Sequence, residues 1–264
     1  MNDLLQKTRM INELLQKENT IQEEKEMPYL QMAQVLSDIM ECNTYILSKE
    51  GVLLGYSVVH DFNNERINEM IINHQFPHSY TTLLKDIQQT VENIPIDEEL
   101  TIFPFELKKE LANAYTTLVP IFGAGTRLGT ILLGRVNKKF NTEDFILGEY
   151  SATVVGMQML YQKSGDIEKQ VRETSMVQMA LKSLSFSELK AIKAIFEELD
   201  AEEGILTTSS IADRIGITRS VIVNALRKLE SGGVIETRSL GMKGTFIKIT
   251  NQQLINLLDK ETVV

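Results

Sequence analysis

The sequence predicts an α+β chain: a mixed front domain, one long connecting helix, and a small helical module closed by a hairpin. Three observations predict it. Between about 43 and 136, short β-rich runs alternate with helical spacing and with Gly and Pro turns. From Thr142 to about Lys182 there is no proline, and only Gly148, Gly156 and Gly165 interrupt a helical pattern. After Ser185, two helical patterns, a capped basic helix and two short strands follow in close order. The domain boundaries read as 1–141, 142–184 and 185–264.

The bulk numbers agree. A length of 264 residues suits about two domains, and 43% hydrophobic residues can bury a core. Cys42 is the lone cysteine, so no intramolecular disulfide can form, as suits a reducing compartment. MNDLLQKTRMINELLQKE carries charges throughout and reads as an amphipathic helix, not a signal peptide. No apolar run is long enough to span a bilayer. A cytoplasmic protein that does not enter membranes is expected.

Taking the elements in order, residues 2–17 and roughly 28–40 have helical spacing. TYILSKEGVLLGYSV is a hairpin turning at Lys49-Glu50-Gly51. Residues 62–73 are helical, and Gln75-Phe76-Pro77 breaks that helix. TIFPF is a short extended piece around Pro104. TTLVPIFGAGTRLGTILLGRV is two strands joined at Gly123–Gly125. The 142–182 helix is either continuous or broken near Gly165. Ser185-Phe186-Ser187-Glu188 is a capping box opening a helix that ends near Leu199.

The last module is the most specific. Ser209–Ile215 is a short helix, Gly216 a turn, and Thr218 the N-cap of a helix over Arg219–Glu230. Val221, Ile222, Ala225, Leu226 and Leu229 form its core face, and Gly232-Gly233 ends it. VIETR and TFIKI then bracket the turn SLGMKG. Helix, turn, helix, hairpin is the order of a winged helix-turn-helix. Between Ile205 and Thr250 seven basic residues outnumber three acidic ones, a net of +4. The rest of a chain of net charge −9 therefore carries −13. A basic module on an acidic body suits contact with phosphate at one end only. Thr218, Arg219, Ser220 and Asn224 sit at the helix end that would meet base edges in a major groove. Arg pairs bidentately with guanine and Asn with adenine. Arg214, Arg238 and Lys243 would lie nearer the backbone and add salt-dependent affinity. A helical hairpin used for protein contacts is the other reading. The helix order, the two glycines and the charge together favour DNA.

TRSVIVNALRKLESGGVIETRSLGMKGTFIK resembles the C-terminal signature of the CodY family of pleiotropic regulators from low-GC Gram-positive bacteria. The likeness extends through SFSELKAIKAIFEELD, EYSATVVGMQML, TTLVPIFGAGTRLGT and LLQKTRMIN, nearly the whole chain. It implies a GAF-type sensor domain, a helical linker, a winged helix-turn-helix, and a homodimer or higher oligomer. It also implies an AT-rich palindromic operator, with isoleucine or another branched-chain amino acid as co-effector. Mainly repression of nutrient-adaptation genes follows. The family's pocket motif corresponds to NNERINEM, QFPHSY and TIFPF. By that resemblance Arg66 holds the ligand carboxylate, and Ile67, Met70, Phe76, Pro77, Tyr80, Phe103 and Pro104 line the cavity. Carbonyls near Thr101 and Phe103 would take the ammonium. Without the resemblance, Arg66 is a surface charge, and Met70, Phe76 and Phe103 are ordinary core.

Relatives that bind GTP use a Ser-Arg-Arg turn and a linker Glu and Lys. The matching residues here are Ser48, Lys49, Glu50, Gln158 and Lys163. Glu50 sets a negative charge where a triphosphate would lie, and Gln158 offers one carbonyl in place of a carboxylate. Weak or no GTP binding is expected. GAGTRLGT lacks the Gly-Lys-[Ser/Thr] ending of a P-loop and sits between strands, so it reads as a turn.

No catalytic or metal site is expected. His74 and His78 have the four-residue spacing of helical ligands, but Pro77 lies between them. Asp144 and Glu149 read as solvated positions on the long helix, and no nucleophile–base constellation stands out. This disfavours a signalling enzyme such as a cyclic-nucleotide hydrolase and leaves a protein-interaction adaptor as the alternative. Val154, Val155 and Met159 suit dimer contacts and core packing equally.

Overall fold

The computed structural model describes residues 2–16, 27–60, 65–199 and 201–260. They fall into two compact units, Met1–Lys163 and Ser164–Val264.

In the first unit, α1 (Asn2–Gln16) and α2 (Leu30–Met40) precede the hairpin of β1 (Asn43–Ser48) and β2 (Leu53–Ser57). Next come α3 (Glu65–Ile72), α4 (His78–Lys85) and β3 (Val91–Pro95). The long hairpin of β4 (Ala114–Gly123) and β5 (Thr126–Val136) leads into α5 (Thr142–Lys182). The strands form one antiparallel sheet in the order β2-β1-β5-β4-β3. Successive strand residues point to opposite faces, and both faces are covered. Ile46, Val119, Ile131 and Leu133 pack with α1, α2 and α5 residues such as Ile11, Leu36 and Val155. Tyr45, Leu47, Leu118 and Leu132 pack on the other face with Phe76 and Leu84. Double-sided burial explains why these strands read as nearly continuous apolar runs. Gly156 lets α5 lie close to the sheet, since a Cβ there would fall 2.3 Å from the Phe122 carbonyl oxygen.

The hairpin turns lie where the sequence places them. Ala124 and Gly125 both have positive φ, 48° and 76°, as a two-residue turn between right-twisted strands needs. The 62–73 helix is seen over Glu65–Ile72, and residues 61–64 lie outside the described residues. TIFPF is not an extended piece: the chain bends at Ile102 and Phe103, Pro104 has extended angles, and Phe105–Leu107 closes into a 3-10 turn.

The helix over 142–182 is unbroken and passes through Gly165. The Asn141 Oδ1 accepts the Glu143 and Asp144 N–H groups and so caps its first turn. One expectation about it is corrected. Asp144 is not solvated: it is 7% exposed and pairs with Arg135 at 2.8 Å. Val154 and Val155 are core residues, 3% and 0% exposed, and Met159 is partly buried against the same cluster. Core packing, one of the two readings open for these residues, is what the structure shows.

In the second unit, the end of α5 is followed by α6 (Phe186–Glu198), β6 (Glu203–Leu206), α7 (Thr208–Ile215) and α8 (Arg219–Ser231). The wing strands β7 (Ile235–Ser239) and β8 (Thr245–Ile249) and a last helix, α9 (Gln253–Lys260), complete it. The sheet order is β6-β8-β7. The capping box at Ser185 is formed. Glu188 accepts the Ser185 N–H at 2.7 Å and the Lys228 ammonium at 2.7 Å, which ties the start of α6 to α8. The Lys228 ammonium, then the Ser185 N–H, hold the Glu188 carboxyl below its ordinary value. Ile192, Ile195, Ile211, Ile222, Leu226 and Leu229 fill the core between the helices.

Candidate ligand pocket and nucleic-acid interface

The first unit holds a cavity of about 660 Å³ on the α3–α4 side of its sheet, within the usual span of small-molecule sites, about 300–1,000 Å³. Met70 comes from α3, Phe76 and Pro77 from the turn after it, and Tyr80 and Leu83 from α4. The stretch from Ile96 to Phe105 supplies Asp97, Glu98, Glu99, Thr101, Ile102 and Phe103. Six of the predicted pocket residues therefore meet at one wall: Met70, Phe76, Pro77, Tyr80, Thr101 and Phe103. Ile67, half-buried on α3, and Pro104, buried beside Phe103, are not part of it. The side chain of Arg66 lies outside the described residues, although its backbone belongs to α3.

The wall is fixed by short-range bonds. The Phe76 ring stacks edge-on against Tyr45 and is tilted toward Tyr80, with centroids at 5.9 and 6.1 Å. Tyr80 donates its hydroxyl to the Leu100 carbonyl at 2.9 Å, and burial pushes that hydroxyl's pKa up, so it stays a neutral donor. The Thr116 hydroxyl accepts the Ile102 N–H at 3.1 Å, and the Thr101 hydroxyl accepts the Phe103 N–H at 3.2 Å. These bonds hold the 101–103 backbone against β4. On the other side, Arg127 donates to the carbonyls of Leu84 and Ile87 at the end of α4 and to the Thr130 hydroxyl.

The turn after α3 is also joined to the β1–β2 hairpin. The Phe76 N–H donates to the Gly51 carbonyl and the Leu53 N–H to the His74 carbonyl, both at 2.9 Å. Gln75 Nε2 reaches the Glu50 carbonyl at 3.2 Å. Ser48, Lys49 and Glu50, the predicted remnant of a GTP site, therefore adjoin the pocket turn. Within the turn the Ser48 hydroxyl accepts the Glu50 and Val52 N–H groups, and Lys49 faces Glu50 at 3.6 Å. Gln158 is half-buried and Lys163 exposed on α5. The acidic run Asp97–Glu99, with Leu83 and Ile96, was missed by sequence reasoning. Its only signal was three adjacent carboxylates just before a Thr-x-Phe-Pro segment.

In the second unit, Thr218 is the N-cap of α8 by backbone angles but makes no side-chain cap bond. Thr218, Arg219, Ser220 and Asn224 are all exposed at the start of this helix, while Ile222, Ala225, Leu226 and Leu229 are buried. Val221 is only partly buried. Arg238 on β7 and Lys243 at the wing tip are exposed. Arg214, in the last turn of α7, pairs with Glu198 at 2.7 Å, so phosphate would have to compete with a carboxylate for it.

Among the described residues, no helix is long and apolar enough to cross a membrane. Among the same residues no group of three or more His, Cys, Asp or Glu is placed to hold a metal ion.

A sheet domain with a cavity between helix and loop, joined by one helix to a winged helix-turn-helix, is the build of a one-chain transcriptional regulator. The family comparison makes the assignment specific. The CodY GAF-like domain matches residues 3–183, and the CodY helix-turn-helix domain matches residues 202–261. The chain is 52% identical to the global transcriptional regulator CodY of Brevibacillus brevis, over 98% of each chain. It is 54% identical to that of Lysinibacillus sphaericus, over 97% of each. Among solved structures it is similar to the cofactor-binding GAF domain of the nutrient sensor CodY from Clostridium difficile. That match has 34% identity and a TM-score of 0.42, and covers 59% of this chain and 96% of the other. The chain belongs to the CodY family of transcriptional regulators.

Proposed function

We propose that the first unit binds isoleucine, or a close branched-chain relative, and that occupancy raises the affinity of α8 for an AT-rich palindromic operator. The protein then acts in the cytoplasm, as a homodimer and mainly as a repressor of nutrient-adaptation genes. The domain limits 1–141, 142–184 and 185–264 belong to this proposal. The observation that carries it is the makeup of the cavity wall. Met70, Phe76, Tyr80, Leu83 and Phe103 offer an apolar hollow, and Asp97, Glu98 and Glu99 offer acceptors for an ammonium. Arg66 supplies the cation that a free amino acid's carboxylate needs, through a planar fork. Dimerisation draws support from Ile146, Met157 and Tyr161, large and at least half exposed on one face of α5. Because α5 runs unbroken from one unit into the other, a change at the sheet has a covalent route to the DNA module. A full switch would require about 5.5 kcal/mol of differential affinity. One small ligand gives less, so the response is graded.

Calorimetric titration of the whole chain with isoleucine tests the reading. Saturable binding is expected, with valine weaker by about 1–3 kcal/mol for the lost methylene. Arg66→Ala should weaken isoleucine by roughly tenfold or more, since a charged hydrogen-bond partner contributes about 1.5–3 kcal/mol. Operator affinity should rise with isoleucine in the wild type and not in the variant. An unchanged response in Arg66→Ala would sink the carboxylate assignment.

GTP is expected to give no saturable heat and no gain in operator binding. Glu50 repels the triphosphate and already engages Lys49, and Gln158 offers one carbonyl oxygen where a carboxylate would offer two side by side to the paired guanine N–H groups. Micromolar GTP affinity would defeat this. An adaptor whose wing meets protein is the alternative, and it would show no sequence-dependent binding to DNA.

A further inference from the structure

The wing tip carries a side chain that the fold leaves unused. Met242 is fully exposed, at 106% of its reference area, between Gly241 and Lys243. Single exposed apolar residues are ordinary on protein surfaces. This one sits on a preformed mount. The tip closes on itself: the Leu240 N–H donates to the Gly244 carbonyl at 2.8 Å, and the Lys243 N–H to the Leu240 carbonyl at 3.3 Å. Gly241 has φ 63° and Gly244 φ 109°, and a Cβ on Gly244 would fall 2.6 Å from the Leu206 carbonyl oxygen. The tip is thus pressed against β6, and strand pairs Arg238↔Phe246 and Ser239↔Thr245 form its stalk. A short, hydrogen-bonded loop holds one slim apolar side chain outward.

The surroundings of that side chain select its partner. Lys243 is its neighbour on the tip, and Arg238 is exposed on the stalk below. No acidic residue lies between Thr237 and Ile249. A cationic rim around an apolar point is poorly matched to another protein's core and well matched to a groove walled by phosphates. Proteins that enter the minor groove commonly insert an apolar residue at a base step and flank it with cations. The minor groove is about 6 Å wide, and methionine, unbranched and flexible, is among the residues suited to such insertion.

The geometry points to Met242 as a minor-groove wedge: it inserts at a base step beside the half-site contacted by α8, partly unstacks it, and bends the duplex. Preference for flexible pyrimidine–purine steps at that position, read as deformability and not by hydrogen bonds, follows from this role. The inference rests on the DNA-binding reading and adds a residue that reads sequence without contacting a base edge.

The test uses the full chain with isoleucine and a duplex that the protein itself selects from a random pool. One set of duplexes carries 2-aminopurine at successive flanking steps, and another carries dyes at both ends. Wild type should raise 2-aminopurine emission at one flanking step per half-site and shorten the end-to-end distance. Met242→Ala, a fully exposed position, should abolish both signals and weaken binding by about tenfold. Met242→Leu should keep both signals. Lys243→Ala should lower affinity and the salt dependence while leaving the fluorescence step in place. If Met242→Ala binds the selected duplex like wild type and still lights the same step, the wedge is overturned, while Arg219-dependent binding stands. If wild type selects no sequence at all, the DNA-binding reading falls, and the wedge falls with it.

Discussion

Arg135→Ala lowers the stability of the first unit by about 3–5 kcal/mol, the usual cost of stranding one partner of a buried ion pair. The residue is 5% exposed at the end of β5. Its guanidinium meets both Asp144 oxygens, at 2.8 and 3.0 Å, and also reaches the Met40 carbonyl. The guanidinium carbon lies 4.2 Å from the Phe140 ring centroid. One side chain thereby joins the end of α2, the sheet and the first turn of α5. Alanine leaves the Asp144 carboxylate buried with only backbone donors. Urea unfolding should show the lost stability, and hydrogen exchange should place it in peptides spanning 114–160. The paired change Arg135→Met with Asp144→Leu removes both charges and should recover most of the loss. A double variant as weak as the single one would show that the fork, and not the stranded charge, sets the cost.

The same pair sets a pH dependence. Burial alone would raise the Asp144 carboxyl, but the Arg135 and Asn141 hydrogen bonds and the nearby positive charges reverse this, so its folded pKa lies below the ordinary value. A depressed carboxylate contributes stability that is fully present above its unfolded pKa, about 3.9. That contribution fades as pH falls through the folded value. Wild type should therefore lose this increment only in strong acid, below about pH 4, and the double variant should lack that part of its acid sensitivity.

Much of the fold could be read in the sequence because local chemistry decided it. Ser185 and Glu188 make the capping box their spacing promised. Gly216 takes φ 74° to close α7, and Ala124-Gly125 turn the central hairpin. What escaped was set by partners distant in sequence. β3 is a short edge strand whose exposed residues include Glu92, and its pairing with β4 slips between Val91 and Ile94. A five-residue run with a glutamate and a terminal proline carries little β signal. Asp144 looked solvated because it stands in a polar first turn. Its burial depends on Arg135, nine residues earlier and on another element. The pocket was partly legible through its Phe-Pro segments, whose rings are bulky and fixed. The acidic run Asp97–Glu99 gave no sign of facing the cavity, because loop direction follows from bonds such as Thr116 to Ile102 that no local pattern encodes.

Arg219→Ala and Asn224→Ala should each cost about 1–3 kcal/mol of operator affinity per half-site and relax preference at one base position. Both side chains are exposed on the first turns of α8, five residues apart, and the buried face of Ile222, Leu226 and Leu229 fixes which way they project. A bidentate contact carries sequence information, so its loss should matter on the selected duplex and little on random DNA. Arg238→Ala and Lys243→Ala are expected to act on the backbone term. They should weaken both duplexes alike and reduce the slope of log affinity against log salt by about one unit for each phosphate left unneutralised. Arg214 falls between these classes. Its guanidinium already holds Glu198 at 2.7 Å, an exposed pair that contributes about 0–1 kcal/mol to folding. Glu198→Gln would free it, and operator affinity should then rise modestly at low salt. The two classes separate in one titration series, selected and random duplex at two salt concentrations. If Arg219→Ala weakened both duplexes equally, that residue would touch phosphate alone, and sequence choice would have to come from Asn224 and the wing.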